Sequence, residues 1–283
     1  MNKIIRLLPL LLALTAVWPA PTARAETLTE KNLRGIVGRE REIFARAKAE
    51  GDQLDEARLQ GEVEGLVTSY DVLIQKNPDY APAYVAYGLL LGRVGIPKQA
   101  VAMLLKANHL DPGIAVVKNQ LAKHLAEDGK PLEALPWIMA AIDLEPKEPL
   151  YHYQLGTLLH EARDDFLRAG SFTRAALDKA MLEAFQRAAE LAPANTAFAY
   201  RQAEAFYDLE IPQWDEALKA WGALEERSAP GVEQQTIRLH AANVLLKKGD
   251  PLRARALLAT VDQPALAKQK QTLLDQLGPA GAN

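Results

Sequence analysis

The chain of 283 residues is 49% apolar yet only 6% aromatic, carries 24% charged residues at a formal charge of −3, and contains no cysteine. Without cysteine there are no disulfides, no thiolate metal sites and no lipid-modified cysteine, and the mildly acidic balance argues against general nucleic-acid binding. Much of the apolar content is Ala and Leu, with no long β-branched runs, which suits close helix–helix packing and not strands.

Residues 1–25 read as an export signal. Lys3 and Arg6 give a positive start, residues 7–17 form a short apolar run, and Ala23-Arg24-Ala25 places small residues where a signal peptidase reads them. The run is too short to span a bilayer as a mature helix; an uncleaved amphipathic anchor is the competing reading. The expectation is cleavage after Ala25, a periplasmic or secreted product and no stable membrane span thereafter. Removing Lys3, Arg6 and Arg24 leaves 30 basic residues against 36 acidic ones, a charge of −6 from Glu26 onward.

Residues 29–50 show helical spacing at Leu33, Ile36, Val37, Ile43, Phe44 and Ala47. Residues 52–76 continue it with Val63, Leu66, Val67, Tyr70, Leu73 and Ile74. Gly35, Gly38, Gly61 and Gly65 fall inside these patterns and are expected to allow close packing. Next comes a repeat: Val94-Gly95-Ile96-Pro97-Lys98-Gln99-Ala100 is answered 34 residues later by Asp128-Gly129-Lys130-Pro131-Leu132-Glu133-Ala134, and Pro112 by Pro146. A period of this length marks stacked helical hairpins. Gly88 and Ala122 are small where two helices cross, Gly95 and Gly129 suit the left-handed position that ends a helix, and Pro97 and Pro131 suit the first turn of the next. Pro136 lies deeper, where it removes a backbone bond and is expected to bend its helix.

A third copy runs from Pro149 through Gly156 and Phe185 to Pro193, and the interval from Pro146 to Pro193 is 13 residues longer than one period. The surplus lies around Arg163 to Ala176, and its pattern predicts two lengthened helices protruding from the stack. A fourth copy carries Ala203, Phe206, Ala217 and Trp221, and a fifth Ala242, Gly249, Pro251 and Leu258. Leu266, Leu273, Leu274 and Leu277 predict a closing helix. The expected organisation is a signal peptide at 1–25, a degenerate N-terminal repeat or cap at 26–80, an array of about four repeats at 81–261 with an insertion near 163–176, and a capping helix and tail at 262–283.

Tyr84, Tyr87-Gly88, Leu91, Ala100, Leu104, Ala107 and Pro112 together resemble the tetratricopeptide repeat, departing from its pattern at Tyr87 and Leu104. The resemblance implies an all-α fold, a right-handed α-solenoid of helical hairpins with a C-terminal capping helix. It also implies a concave face lined by the first helix of each hairpin. On those positions stand Val85 and Leu89, then Asn119 and Lys123, then Tyr153, Thr157 and His160, then Tyr200, Glu204 and Tyr207, and last Asn243. The alternative is that the tyrosines pack against neighbouring helices as core. Asn119 and Lys123 stand alone, so the Lys/Asn arrangement with which some relatives hold a C-terminal carboxylate is not reproduced.

Chemistry is hard to find. His109, His124, His152, His160 and His240 show no metal-ligand spacing, Asp164-Asp165 diverge on a helix, and Gly170-Ser171-Phe172 lacks a nucleophile elbow. The sequence thus points to a non-enzymatic scaffold without cofactor or metal, binding a protein or peptide partner of the cell envelope and no nucleic acid. The competing reading is a glycan-binding accessory of polysaccharide export or modification, with Tyr153, Tyr200 and Tyr207 offered to sugar rings.

Overall fold

The computed structural model describes residues 26–277, so the expected signal peptide lies outside the described residues. Among the described residues there is no strand, and the chain divides between His124 and Leu125 into two compact units. It is an all-α array of helical hairpins of the α-solenoid class.

The first unit holds α1 (Leu28–Glu50), α2 (Glu56–Lys76), α3 (Ala81–Arg93), α4 (Pro97–Leu110) and most of α5 (Ala115–Glu127). A capping box starts α1: the Thr27 hydroxyl accepts from the Glu30 amide, and the Glu30 carboxylate accepts from the Thr27 amide at 2.7 Å. Leu33, Ile36, Leu66, Tyr70, Leu73, Leu90 and Leu91 form one core across α1, α2 and α3. Tyr70 stacks on Tyr87 at 5.3 Å and donates its hydroxyl to Glu40, which also accepts from Arg93 at 2.9 Å. Burial pushes the Glu40 carboxyl upward in pKa against the pull of Arg93. At the α3–α4 turn Gly95 has φ +79°, and the Ile96 amide donates to the Leu91 carbonyl, so the helix ends in the left-handed form that glycine allows.

The small-residue expectation divides. A Cβ on Gly88 would lie 2.9 Å from Leu104 Cγ, so this glycine does permit the α3–α4 crossing. A Cβ on Gly35, Gly38, Gly61 or Gly65 would meet open space, which corrects the close-packing expectation for α1 and α2. Those four lie on helix surfaces that no neighbour approaches.

The second unit begins with α6 (Pro131–Leu144), which runs on through Pro136 although that residue has no amide to donate. It is followed by α7 (Pro149–Glu161), α8 (Arg163–Arg168) and α9 (Arg174–Leu191). Here the structure departs from expectation. Only one of the two expected helices is lengthened: α9 has 18 residues against 14 in α4 and α6, whereas α7 has 13, like α3 and α5, and much of the insertion folds as the separate six-residue α8. Phe166 on α8 is fully buried and meets Phe172 edge-on at 5.7 Å, so the insertion lies down against α6 and α7. Burying that ring outweighs the helical preference of the flanking residues.

The α7–α9 crossing is the tightest glycine contact in this unit. A Cβ on Gly156 would fall 2.8 Å from two carbons of the buried Phe185 ring. Gly156→Ala is expected to destabilise the protein by about 1–3 kcal/mol, as overpacking does when the neighbour cannot move. Gly222→Ala, on the helical surface of the same unit where a Cβ meets nothing, is the control and should be neutral or slightly stabilising. Urea denaturation of the two variants distinguishes them.

The chain continues with α10 (Thr196–Ala205), a 3-10 turn (Phe206–Asp208), α11 (Trp214–Arg227), α12 (Val232–Lys248), α13 (Pro251–Ala259) and α14 (Ala267–Leu277). Asp178 on α9, buried, ties down the segment after α10. It accepts from Arg174 at 2.9 Å and from the Glu210 amide at 2.8 Å, while Arg174 also donates to the Asp208 carbonyl. At the far end Leu266, Leu273, Leu274 and Leu277 pack on Leu239, Ala242, Leu258 and Val261. Gln235 positions this closure: its carbonyl accepts the amides of Asp262 and Gln263, and its amide donates to the Asp262 carboxylate.

Candidate functional site

In the second unit α7, α10 and α12 bring most of the expected binding residues onto one face. On α7, Tyr153, Thr157 and His160 follow each other at i, i+4 and i+7, and the same spacing puts Tyr200 and Glu204 of α10 in line with Tyr207 of the 3-10 turn. The two rows meet: Tyr153 lies 4.9 Å from Phe198, and His160 Nδ1 is 3.3 Å from the Asp208 carboxylate. Thr157 contributes less, since its hydroxyl donates to the Tyr153 carbonyl one turn back.

α12 meets the α10 row from the other side through His240, which the sequence alone left as an isolated histidine. The Tyr200 hydroxyl and His240 Nε2 are 2.6 Å apart, and the Tyr207 hydroxyl donates to the His240 carbonyl at 3.0 Å. Burial holds His240 below its ordinary pKa. Burial thus favours the neutral ring, and its tautomer sets which partner donates in the Tyr200–His240 hydrogen bond. Beneath lies Trp221 of α11, fully buried, stacked on His240 at 4.3 Å and met edge-on by Tyr200 at 5.0 Å. Asn243, one turn along α12, reaches the Tyr207 hydroxyl, which burial pushes up to about 12. The spacing His240 to Asn243, i to i+3, was the available signal for His240, because it shares the face of a residue already singled out.

The tyrosines are thus half core and half surface. Tyr153, Tyr200 and Tyr207 are each partly exposed, while their buried sides pack on Phe185, Trp221 and His240. Arg201 lies over the Phe185 ring at 4.5 Å and 3.6 Å from Asp208. Glu204, between Tyr200 and Tyr207, is half-buried with no hydrogen bond or ion pair to any described residue, and burial raises its pKa. Burial likewise depresses His160 despite the opposing pull of Asp208. The remaining two expected residues belong to the first unit. Asn119 is 1% exposed, buried on α5 and so not presented to a partner, while Lys123 on the same helix is exposed.

Among the described residues no group of three His, Asp or Glu side chains is placed to hold a metal ion, and no helix is long and apolar enough to cross a membrane. No family model and no curated protein matches the sequence. Solved structures do. YrrB, a tetratricopeptide-repeat protein with an unusual peptide-binding site, superposes with a TM-score of 0.58 at 21% identity over 73% of this chain and 97% of YrrB. PilF of Pseudomonas aeruginosa superposes with a TM-score of 0.52 at 16% identity over 84% of this chain and 99% of PilF. The fold is that of the tetratricopeptide repeat. In these tetratricopeptide hairpins α3, α5, α7, α10 and α12 are the first helices. The face built from Tyr153, Tyr200, Glu204, Tyr207 and Asn243 is therefore made by first helices and the turn that directly follows one.

Proposed function

We propose that this protein is a non-catalytic interaction scaffold of the bacterial cell envelope, holding a protein or peptide segment against the α7–α10–α12 face. The observation that carries the reading is the row Tyr153, Tyr200 and Tyr207. Aromatic rings anchored on their inner sides and open on the outer ones, with Glu204 and Asn243 among them, have the composition of a binding centre. That YrrB has a peptide-binding site on the same fold supports a peptide as the occupant. The absence of catalysis is part of the proposal. His160 Nδ1 lies 3.3 Å from the Asp208 carboxylate without a hydrogen bond to orient the ring, and Thr157, one turn away, has its hydroxyl bonded to its own helix.

The test is binding by the chain from residue 26. A partner captured from envelope extract, then purified, should bind Tyr200→Ala/Tyr207→Ala at least about tenfold more weakly than the parent, with the helical circular dichroism unchanged. Unchanged affinity in the folded double variant overturns the proposal. Binding that disappears when glycans are stripped from the captured partner selects the sugar-binding alternative.

The envelope location rests on residues 1–25, with their Lys3 and Arg6, apolar run and Ala23-Arg24-Ala25. Protein recovered from its native host is expected to begin at Glu26 by intact mass. A product that keeps residues 1–25 removes the support for export.

A further inference from the structure

We infer that the α7–α10–α12 face selects a partner segment through one basic side chain, a lysine or arginine seated between Tyr200 and Tyr207 and paired with Glu204. The inference rests on the scaffold reading above and adds the chemistry of the partner.

Glu204 is the reason. A partly buried carboxylate loses part of its solvation, which a hydrogen bond or counter-ion from a partner restores. Asp178 on the same unit has Arg174 and the Glu210 amide, and Asp208 has the Arg201 guanidinium at 3.6 Å. Glu204 has neither a hydrogen bond nor an ion pair among the described residues. Arg201 is within electrostatic reach of it, but that guanidinium is held over Phe185 and against Asp208. Asp208 itself repels Glu204, adding to the burial that raises its pKa.

The neighbours of Glu204 suit a cation. Tyr200 stands one turn before it and Tyr207 nearly one turn after, and both hydroxyls are engaged with His240, so the two rings flank the carboxylate. Aromatic rings attract ammonium and guanidinium groups, and the attraction grows when the site is partly desolvated. A basic side chain laid there gains the carboxylate as counter-ion and the rings as walls, and it supplies the donor that Glu204 lacks. An acidic side chain would meet Glu204 and Asp208 as like charges, so the same arrangement rejects it.

The experiment is selection of a random peptide library on the chain from residue 26, repeated with Glu204→Gln and Glu204→Lys. Peptides that bind the parent are expected to share a lysine or arginine at one position. Replacing that residue by norleucine should weaken binding to the parent about tenfold and binding to Glu204→Gln by less than about twofold. Glu204→Lys should select Asp or Glu at that position. Peptides that bind, lose affinity in Tyr200→Ala/Tyr207→Ala, and show no basic preference overturn the inference while leaving the scaffold reading intact. The same holds if norleucine weakens binding to the parent and to Glu204→Gln equally. A parent that selects no peptide overturns both. Thermal melts of the two Glu204 variants, expected to match the parent, keep altered folding apart from altered recognition.

Discussion

Trp221→Ala is expected to remove about 3–5 kcal/mol of stability, a large share of the roughly 5–15 kcal/mol that holds an ordinary domain folded. Trp221 is fully buried and its ring is the floor of the aromatic cluster, with His240 stacked on it at 4.3 Å and Tyr200 edge-on at 5.0 Å. The loss therefore has two parts. Apolar area goes back to water, and a cavity opens beneath rings held from above by the Tyr200–His240 and Tyr207–His240 hydrogen bonds, which limit collapse. Binding should weaken in parallel, because the tyrosines lose the support that orients them. Urea denaturation followed by circular dichroism measures the stability. Trp214→Ala, at a half-exposed ring 6.2 Å from Tyr207, is the comparison and should cost less than half as much. Equal effects of the two substitutions would show that the cluster is not organised around Trp221.

Deleting residues 265–283 should turn the protein into an aggregating species. Leu266 is 6% exposed and Leu273, Leu274 and Leu277 are partly buried against Leu239, Leu258 and Val261. A fully buried leucine contributes about 1.5–3 kcal/mol, so one buried and three half-buried ones supply on the order of 5 kcal/mol as an upper estimate. The larger consequence is the surface left behind. A hairpin with no next repeat to stack on exposes an apolar face, the situation that terminal caps of repeat proteins exist to prevent. Sedimentation velocity and melting of the truncated chain check this: polymers and a broadened, lowered transition are expected, and a monodisperse chain with the parental melt contradicts it.

The proposed binding face is only partly readable in the sequence. Tyr153, Tyr200, Glu204, Tyr207 and Asn243 can be placed on one face from the sequence because helix periodicity puts i, i+4 and i+7 on one side and the repeat gives each helix its phase. His240 and Trp221 were known only as an isolated histidine and a repeat position, since their partnership joins residues 19 to 40 positions apart on three helices. Nor does the phase of a helix say how deeply a side chain sits. Asn119 and Lys123 occupy equivalent expected positions on α5, yet one is buried and the other exposed.

What the sequence determined by itself is the local grammar of hairpins. Gly95, Gly129 and Gly249, with φ of +79°, +74° and +83°, end helices because only glycine adopts that conformation without strain, and Pro97, Pro131 and Pro251 begin the next helices because their missing amide would have had no partner there. These are short-range steric and hydrogen-bonding facts, so they survive without knowledge of any neighbour. The tertiary structure decided matters of contact. It folded the start of the surplus at 163–176 into α8, where Phe166 finds a buried place against α6 and α7, and it left Gly35, Gly38, Gly61 and Gly65 facing open space although Gly88 and Gly156 lie under Leu104 and Phe185. Burial depends on which surfaces meet, and that is a property of the packed array, to which periodicity along one helix is blind.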